Sequence, residues 1–246
     1  MGLPTGVVLS CEHAGNEVPE RYSSYFVSPA AKEALSGHRG WDPGSLPIGD
    51  AMSEVLGAPL VAQSVTRLLV ECNRSLDHPR LFSEFSRRMP AEERDDLVRR
   101  YWRAHRERVT GLVADAGSRV VHVGIHTFTP VWKGRDRPTD VGLLYDPARP
   151  GEGRLVRAWR KAMVSAAWKG PRPSGDLAAR RPLRIHLNRP YRGWTDGLTT
   201  ALRRELPEGR YLGVELEVSQ RLAASSAPEL GRWLAQALEE ALPVLR

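Results

Sequence analysis

Cysteine is scarce: Cys11 and Cys72 are the only two in 246 residues. That excludes a disulfide scaffold and paired CxxC metal motifs, and it fits a reducing, cytoplasmic setting. Lysine is nearly absent too. Only Lys32, Lys133, Lys161 and Lys169 occur, so 32 of the 36 basic residues are arginine. No apolar run approaches the roughly 18 residues of a membrane helix. The stretch from Gly6 to Leu9 is too short for the core of a secretory signal. Neither route leads to a membrane partner. There is no P-loop, no GxSxG elbow, no HExxH and no internal repeat, which removes several common enzyme classes.

A 41% hydrophobic and 26% charged composition speaks for a folded chain. The net charge of +7 is dispersed, because acids interleave with bases, as in Glu92-Glu93-Arg94-Asp95-Asp96. No nucleic-acid partner is therefore expected. Arg180, Arg181, Arg184, Arg189 and Arg192 form the one cluster without acids, and it can meet an anionic ligand. Proline-rich stretches at 130–138, 147–150 and 171–182 read as loops. None divides segments of different composition, so residues 1–246 are expected to form a single domain.

Short apolar runs predict strands at Gly6–Ser10, Leu60–Val65, Leu68–Glu71, Val120–Ile125, Val141–Leu144, Leu183–Leu187 and Tyr211–Val218. Helical periodicity predicts helices over Pro47–Leu56, Pro90–Ala116 and Leu155–Trp168. A further helix should open at the capping box Ser226-Ala-Pro-Glu229. Strands alternating with helices predict a mainly parallel sheet covered on both faces, with its site beyond the strands' carboxyl ends.

The residues at those ends carry the chemistry. His13 follows the first strand in Ser10-Cys-Glu-His-Ala-Gly-Asn16, and His126 ends the fourth. Each can ligate a metal, act as a base or simply cap a loop. Asp42, in His38-Arg-Gly-Trp-Asp-Pro-Gly44, would complete a set of two His and one carboxylate with an open fourth position, the donor set of a catalytic zinc. Glu12 should point away from Cys11 and His13 on an extended strand. His122 reads as a satisfied core residue, and His38 as a packing or supporting one. Cys11 reads either as an inert buried thiol or as half of a Cys–His pair. Arg67, Asn73 and Arg74 can grip a carboxylate or form surface ion pairs. Asn188 and Tyr191 lie in a turn that can meet substrate or simply pack. Glu215 and Glu217 share one face of the last strand, where two acids are costly unless used or paired.

Taken in order, seven blocks resemble the N-formylglutamate amidohydrolase family. They are Ser10–Asn16 with Pro19, His38–Gly44, Arg67 with Asn73-Arg74, His126–Pro130, Arg137-Pro138 with Val141-Gly142, Asn188–Tyr191 and Glu217–Leu222. The family is similar in fold to the zinc carboxypeptidases, which implies a three-layer α/β/α sandwich around a mixed, mainly parallel sheet. The resemblance implies Zn²⁺ on His13 and His126, with Asp42 as the best match for a third ligand. Asn16 stands where those peptidases carry an acid three residues after the first His. It further implies that Arg67 polarises the amide carbonyl or grips a carboxylate, that Asn73 and Arg74 bind the substrate carboxylate, and that Glu217 is the catalytic acid–base.

The expectation is therefore a zinc-dependent amidohydrolase acting on a small, carboxylate-bearing N-acyl amino acid. Two alternatives stay open: a carboxypeptidase-like peptidase or amidase on a larger substrate, and a non-catalytic protein that binds anions or nucleic acid. Glu215 is expected to pair with a nearby arginine.

Overall fold

The computed structural model describes residues 5–171 and 181–245. Eight strands form: β1 (Thr5–Cys11), β2 (Leu60–Ala62), β3 (Arg119–Phe128), β4 (Val131–Trp132), β5 (Arg135–Asp136), β6 (Val141–Leu144), β7 (Ile185–Leu187) and β8 (Tyr211–Ser219). The helices are α1 (Pro29–Ser36), α2 (Ser45–Leu56), α3 (Ala91–Leu97), α4 (Ala104–Asp115), α5 (Pro150–Ser165), α6 (Leu198–Glu205) and α7 (Gln220–Ala241). Six strands make one sheet in the order β2-β1-β3-β8-β6-β7. All neighbours in it are parallel except β6 and β8. The chain leaves β1 toward β2 on one side and reaches β3 on the other, so a topological switch point lies between β1 and β3.

Alternation along the strands builds the layers. Leu9, Val121, Val123, Ile125, Leu212, Val214 and Leu216 face a core closed by Ile48 and Met52 of α2, Leu155 and Trp159 of α5, and Leu230 and Leu234 of α7. The Trp159 indole donates to the Leu234 carbonyl at 3.0 Å and ties α5 to α7. On the opposite face Val8, Val120 and Tyr211 pack on Val109 and Val113 of α4 and Leu198 and Leu202 of α6. The result is the expected α/β/α sandwich. That second face changes character along the strands. Beyond Val120 and Tyr211 it carries Ser10, His122, His126, Glu215 and Glu217, so it is apolar at the amino ends and polar at the carboxyl ends. No helix among the described residues is long and apolar enough to cross a membrane.

Several expected elements take another form. Leu68–Glu71 is a chain of turns, not a strand. The Thr66 hydroxyl accepts from Leu68 N at 3.2 Å, and the Ser83 and Ser86 hydroxyls donate to the Leu68 carbonyl. These local bonds hold the backbone in turns that a ladder would otherwise extend. Leu68, Leu69 and Val70 bury instead with Tyr22, Phe26 and Leu97. The helix expected over Pro90–Ala116 is α3 and α4 joined by a π-helical stretch, Val98–Arg103. The last helix begins at Gln220, earlier than its capping box. Ser226 breaks it with φ −174° and ψ 60°, its hydroxyl bonded to Glu229. Pro228 stands just inside the second half, where a missing N–H costs nothing. The arginine cluster is not uncompensated either, because Arg181 pairs with Asp140 at 2.6 Å. Arg180 lies outside the described residues.

Two positions in the sheet carry testable consequences. A Cβ on Gly142 would fall 2.0 Å from the Arg189 carbonyl oxygen and 3.3 Å from Glu217 Cβ. Gly142→Ala should therefore cost about 1–3 kcal/mol, read as a lower urea midpoint. A midpoint equal to the parent's would show that the Arg189 turn yields freely.

His122 is fully buried between the Ser10 hydroxyl and the Tyr211 hydroxyl, each at 2.8 Å. It is the satisfied core histidine expected. Burial pulls its pKa down to about 4. The folded state thus resists a proton that the unfolded chain accepts near pH 6.5. This contribution is complete above pH 6.5 and is lost as pH falls toward 4. Its full size is about 3 kcal/mol. Urea unfolding at pH 7 and pH 4.5 should show a smaller acid loss in His122→Gln than in the parent. Identical losses would remove His122 as a source of acid sensitivity.

Candidate active site and metal centre

The switch point gathers three donors. His13 lies two residues beyond β1, and its carbonyl accepts from Asp42 N at 3.0 Å, which docks the 38–44 loop on the strand end. Gly44 turns that loop into α2 at φ +89°, a conformation that favours glycine. His126 stands near the end of β3, in register with Glu217 of β8. All three side chains are buried.

His13 Nδ1, His126 Nδ1 and Asp42 Oδ2 form a triangle with sides of 3.2, 3.1 and 3.2 Å. Ligands at about 2.0–2.1 Å from a tetrahedral ion are separated by about 3.3 Å. The donors thus stand where three vertices of such a tetrahedron would, and the fourth is left for a water or substrate. They form the one group among the described residues with metal-ligand spacing.

The atoms behind the triangle support the same reading. Glu71 Oε1 lies 2.5 Å from His13 Nε2, and Glu12 Oε2 lies 3.2 Å from His126 Nε2. A proton held on His13 Nε2 by Glu71 leaves Nδ1 with a bare lone pair toward the common point, and Glu12 stands on the corresponding side of His126. Arg67 braces both acids of the loop side: Nε donates to Glu71 at 2.6 Å and Nη1 to Asp42 at 3.3 Å. Burial opposes ionisation of Asp42, but His13, His126 and Arg67 hold its pKa below the usual range. Burial likewise opposes ionisation of Glu12 and Glu71. His105 and His126 pull the pKa of Glu12 well down, and Arg67 and His13 do so for Glu71. Three carboxylates surround the triangle against one guanidinium, and although burial opposes a charge on His126, Asp42 and Glu12 raise its pKa well above the usual imidazole value. A divalent cation can supply the positive charge that such protons otherwise provide. The residues present therefore fit a zinc-like ion.

Glu12 does lie opposite Cys11, on the face of Ser10 and His126, and its carboxylate reaches both His126 and His105. The departure is His13: β1 ends at Cys11, so His13 no longer alternates and turns toward the same site as Glu12. Sequence reasoning missed Glu12, His105 and Glu71 as supports of the site. Only the adjacency of Glu12 to His13 was a signal. His38 is exposed and stays outside. The Cys11 thiol donates to the Ser45 carbonyl at 3.6 Å. Burial raises its pKa, and Glu12 and Asp42 push the same way. It is no thiolate nucleophile.

Glu217 faces the site from β8. Its carboxyl is buried and Oε2 has no hydrogen-bond partner among the described residues. Burial pushes its pKa up to about 8, against the pull of His126. Glu215 pairs with no arginine among the described residues. Thr199 Oγ1 donates to it at 3.2 Å, and Asn73 Nδ2 lies at 3.5 Å. The remaining expected residues are held by local hydrogen bonds. Asn73 Oδ1 accepts from Leu198 N at 2.7 Å, at the start of α6. Arg74 Nη1 donates to the Asp196 carbonyl at 2.6 Å. Asn188 Oδ1 accepts from Tyr145 N and Gly193 N, which shapes the turn that presents Tyr191. Tyr191 is 45% exposed, and its hydroxyl accepts from Arg137 Nη1 at 3.0 Å.

The family model of N-formylglutamate amidohydrolase matches residues 5–224. The solved structure of a gene product from Agrobacterium tumefaciens is similar, with 28% identity and a TM-score of 0.76 over 98% of this chain and 92% of that one. An N-formylglutamate amidohydrolase from Ralstonia eutropha shares the fold at 18% identity and a TM-score of 0.68, over 99% of this chain and 95% of that one. No curated protein matches the chain.

Proposed function

The chain belongs to the N-formylglutamate amidohydrolase family, a family of amide hydrolases, and on that premise we propose that it is a zinc-dependent enzyme that cleaves small N-acyl amino acids. The observation that carries the zinc dependence is the triangle of His13, Asp42 and His126, whose sides match a tetrahedral site. An ion held there supplies Lewis acidity, polarising an amide carbonyl and acidifying a water.

The rest falls to side chains. Glu217, the cross-strand partner of His126, takes the proton of the attacking water and hands it to the leaving amine nitrogen. Arg67, fixed by Asp42 and Glu71, sets a positive charge beside the site, which favours the charge that builds on the carbonyl oxygen. Asn73 and Arg74 offer an amide and a guanidinium to the substrate carboxylate, and Asn188 shapes the turn that presents the Tyr191 hydroxyl. The substrate bears a carboxylate. Both cysteines are unpaired and buried, which suits a cytoplasmic setting.

Release of primary amine from N-formyl-L-glutamate and a panel of N-acyl amino acids tests the proposal. Turnover that stops with a chelator and returns with zinc is the expected result. Turnover that persists in the stripped protein would remove the metal from the account, and no turnover on any member would remove the substrate class.

A further inference from the structure

Tyr191 stands on a turn, and a turn places a phenol only as well as it is itself held. Burial raises the pKa of that phenol, and Glu217 and Asp42 push the same way, so the ring lies beside the acids of the site. Both ends of the turn press on β6 and its end. The Arg189 carbonyl leaves no room for a Cβ on Gly142, and a Cβ on Gly193 would fall 2.1 Å from Tyr145 N. A further hold comes from α6. Thr200 Oγ1 donates to the Thr195 carbonyl at 2.6 Å, and Arg203 Nη1 donates to the Gly193 carbonyl at 2.5 Å.

Arg203 does this from the interior. Its side chain is 5% exposed, and its partner Glu152, on α5, is fully buried. A buried ion pair adds little net stability over apolar residues of the same volume, and its best-attested use is to fix one arrangement. The way these charges meet suits that use. The strongest arginine–carboxylate pairs meet fork to fork. Here only Nε donates to Glu152, at 2.9 Å, and the second carboxylate oxygen accepts from Asp146 N. Both terminal nitrogens are left for main-chain carbonyls. Nη1 takes Gly193, in the Tyr191 turn, and Nη2 takes Gly213 at 2.8 Å, in β8 four residues before Glu217. Glu152 Oε1 accepts from Gly213 N at 3.0 Å and holds the same point of β8. One guanidinium thus joins the strand of Glu217 to the turn of Tyr191.

We propose that Arg203 is a positioning residue, which sets Tyr191 against Glu217 through the Gly193 and Gly213 carbonyls. This rests on the amide-hydrolase reading above.

Arg203→Lys keeps a charge beside Glu152 and loses the bridge between the two carbonyls. A misplacement of about 1 Å can cost about 10²-fold. On an N-acyl amino acid that the parent turns over, kcat/KM should therefore fall about 10- to 100-fold, with the same split between KM and kcat as in Tyr191→Phe. In the Tyr191→Phe background the lysine should cost less than about threefold, because residues that act through one another are not additive. Glu152→Gln keeps an acceptor for Nε, so it should lower the urea midpoint and leave kcat/KM within about threefold. Gly193→Ala displaces the turn from its other side and leaves the buried pair intact. It should reproduce the Arg203→Lys loss, and it carries the test where the lysine variant does not fold. An Arg203→Lys loss undiminished in Tyr191→Phe, an equal loss in Glu152→Gln, or normal turnover in Gly193→Ala overturns the assignment. Hydrogen exchange reads the hold without turnover. Amides of residues 188–197 should exchange faster in Arg203→Lys while those of β3 stay as in the parent, and unchanged exchange in 188–197 overturns it. A parent that turns over no N-acyl amino acid, together with that local rise, would sink the hydrolase reading and leave the hold standing.

Discussion

Glu217→Gln should keep its metal and its thermal midpoint and lose at least about 10²-fold in kcat. The substitution preserves size and removes only the proton acceptor. The Glu217 carboxyl is buried beside His126, and its Oε2 has no partner that a glutamine would forfeit. Folding therefore has little reason to suffer. Glu215→Gln is the internal control. Its carboxyl is held by Thr199 and Asn73, on the side of α6, so the loss in kcat should stay below about tenfold. The same pair of variants separates the two acids that alternation alone places on one face. Normal turnover in Glu217→Gln would remove it from the proton-transfer role. Loss of metal in that variant would make it a ligand, and Asp42 would have to leave the set.

His126→Ala should lose the ion altogether and fall to the activity of the chelator-treated parent. It removes one of three donors and leaves the Asp42 and Glu12 carboxylates facing a hole. The supports behind the donors should matter less. Glu12→Gln and Glu71→Gln each keep a hydrogen-bonding group at the imidazole but lose the charge that fixes its tautomer. Each should weaken metal binding by roughly 10- to 100-fold. Chelator competition followed by metal analysis reads all three variants. A His126→Ala protein with the parent's metal content would place the ion elsewhere.

The parts of this site that were legible in the sequence are those governed by strand periodicity. β1, β3 and β8 are seven to ten residues long and buried, so their apolar runs and the residues at their carboxyl ends stand out. His13, His126 and the pair Glu215 and Glu217 could be picked from that pattern, and the family resemblance chose Glu217 and added the roles. Legibility fails where local bonding overrides it. The apolar run Leu68–Glu71 looks like a strand, but serine and threonine hydroxyls fold it into turns. That refolding is what brings Glu71 under His13. Glu12 and His13 meet at one site because alternation stops at Cys11 and leaves His13 free to turn. α6 escaped notice because eight residues with two buried leucines, Leu198 and Leu202, give too short a period to register.

The most direct test of the central claim is X-ray absorption at the zinc edge on protein reconstituted with one equivalent of zinc. Two imidazole nitrogens and oxygen donors at about 2.0–2.2 Å are the predicted shell, from His13, His126 and Asp42 with a water or substrate in the fourth place. A sulfur scatterer at about 2.3 Å, which only Cys11, Cys72 or a methionine can supply, would contradict it, as would a shell unchanged in His126→Ala.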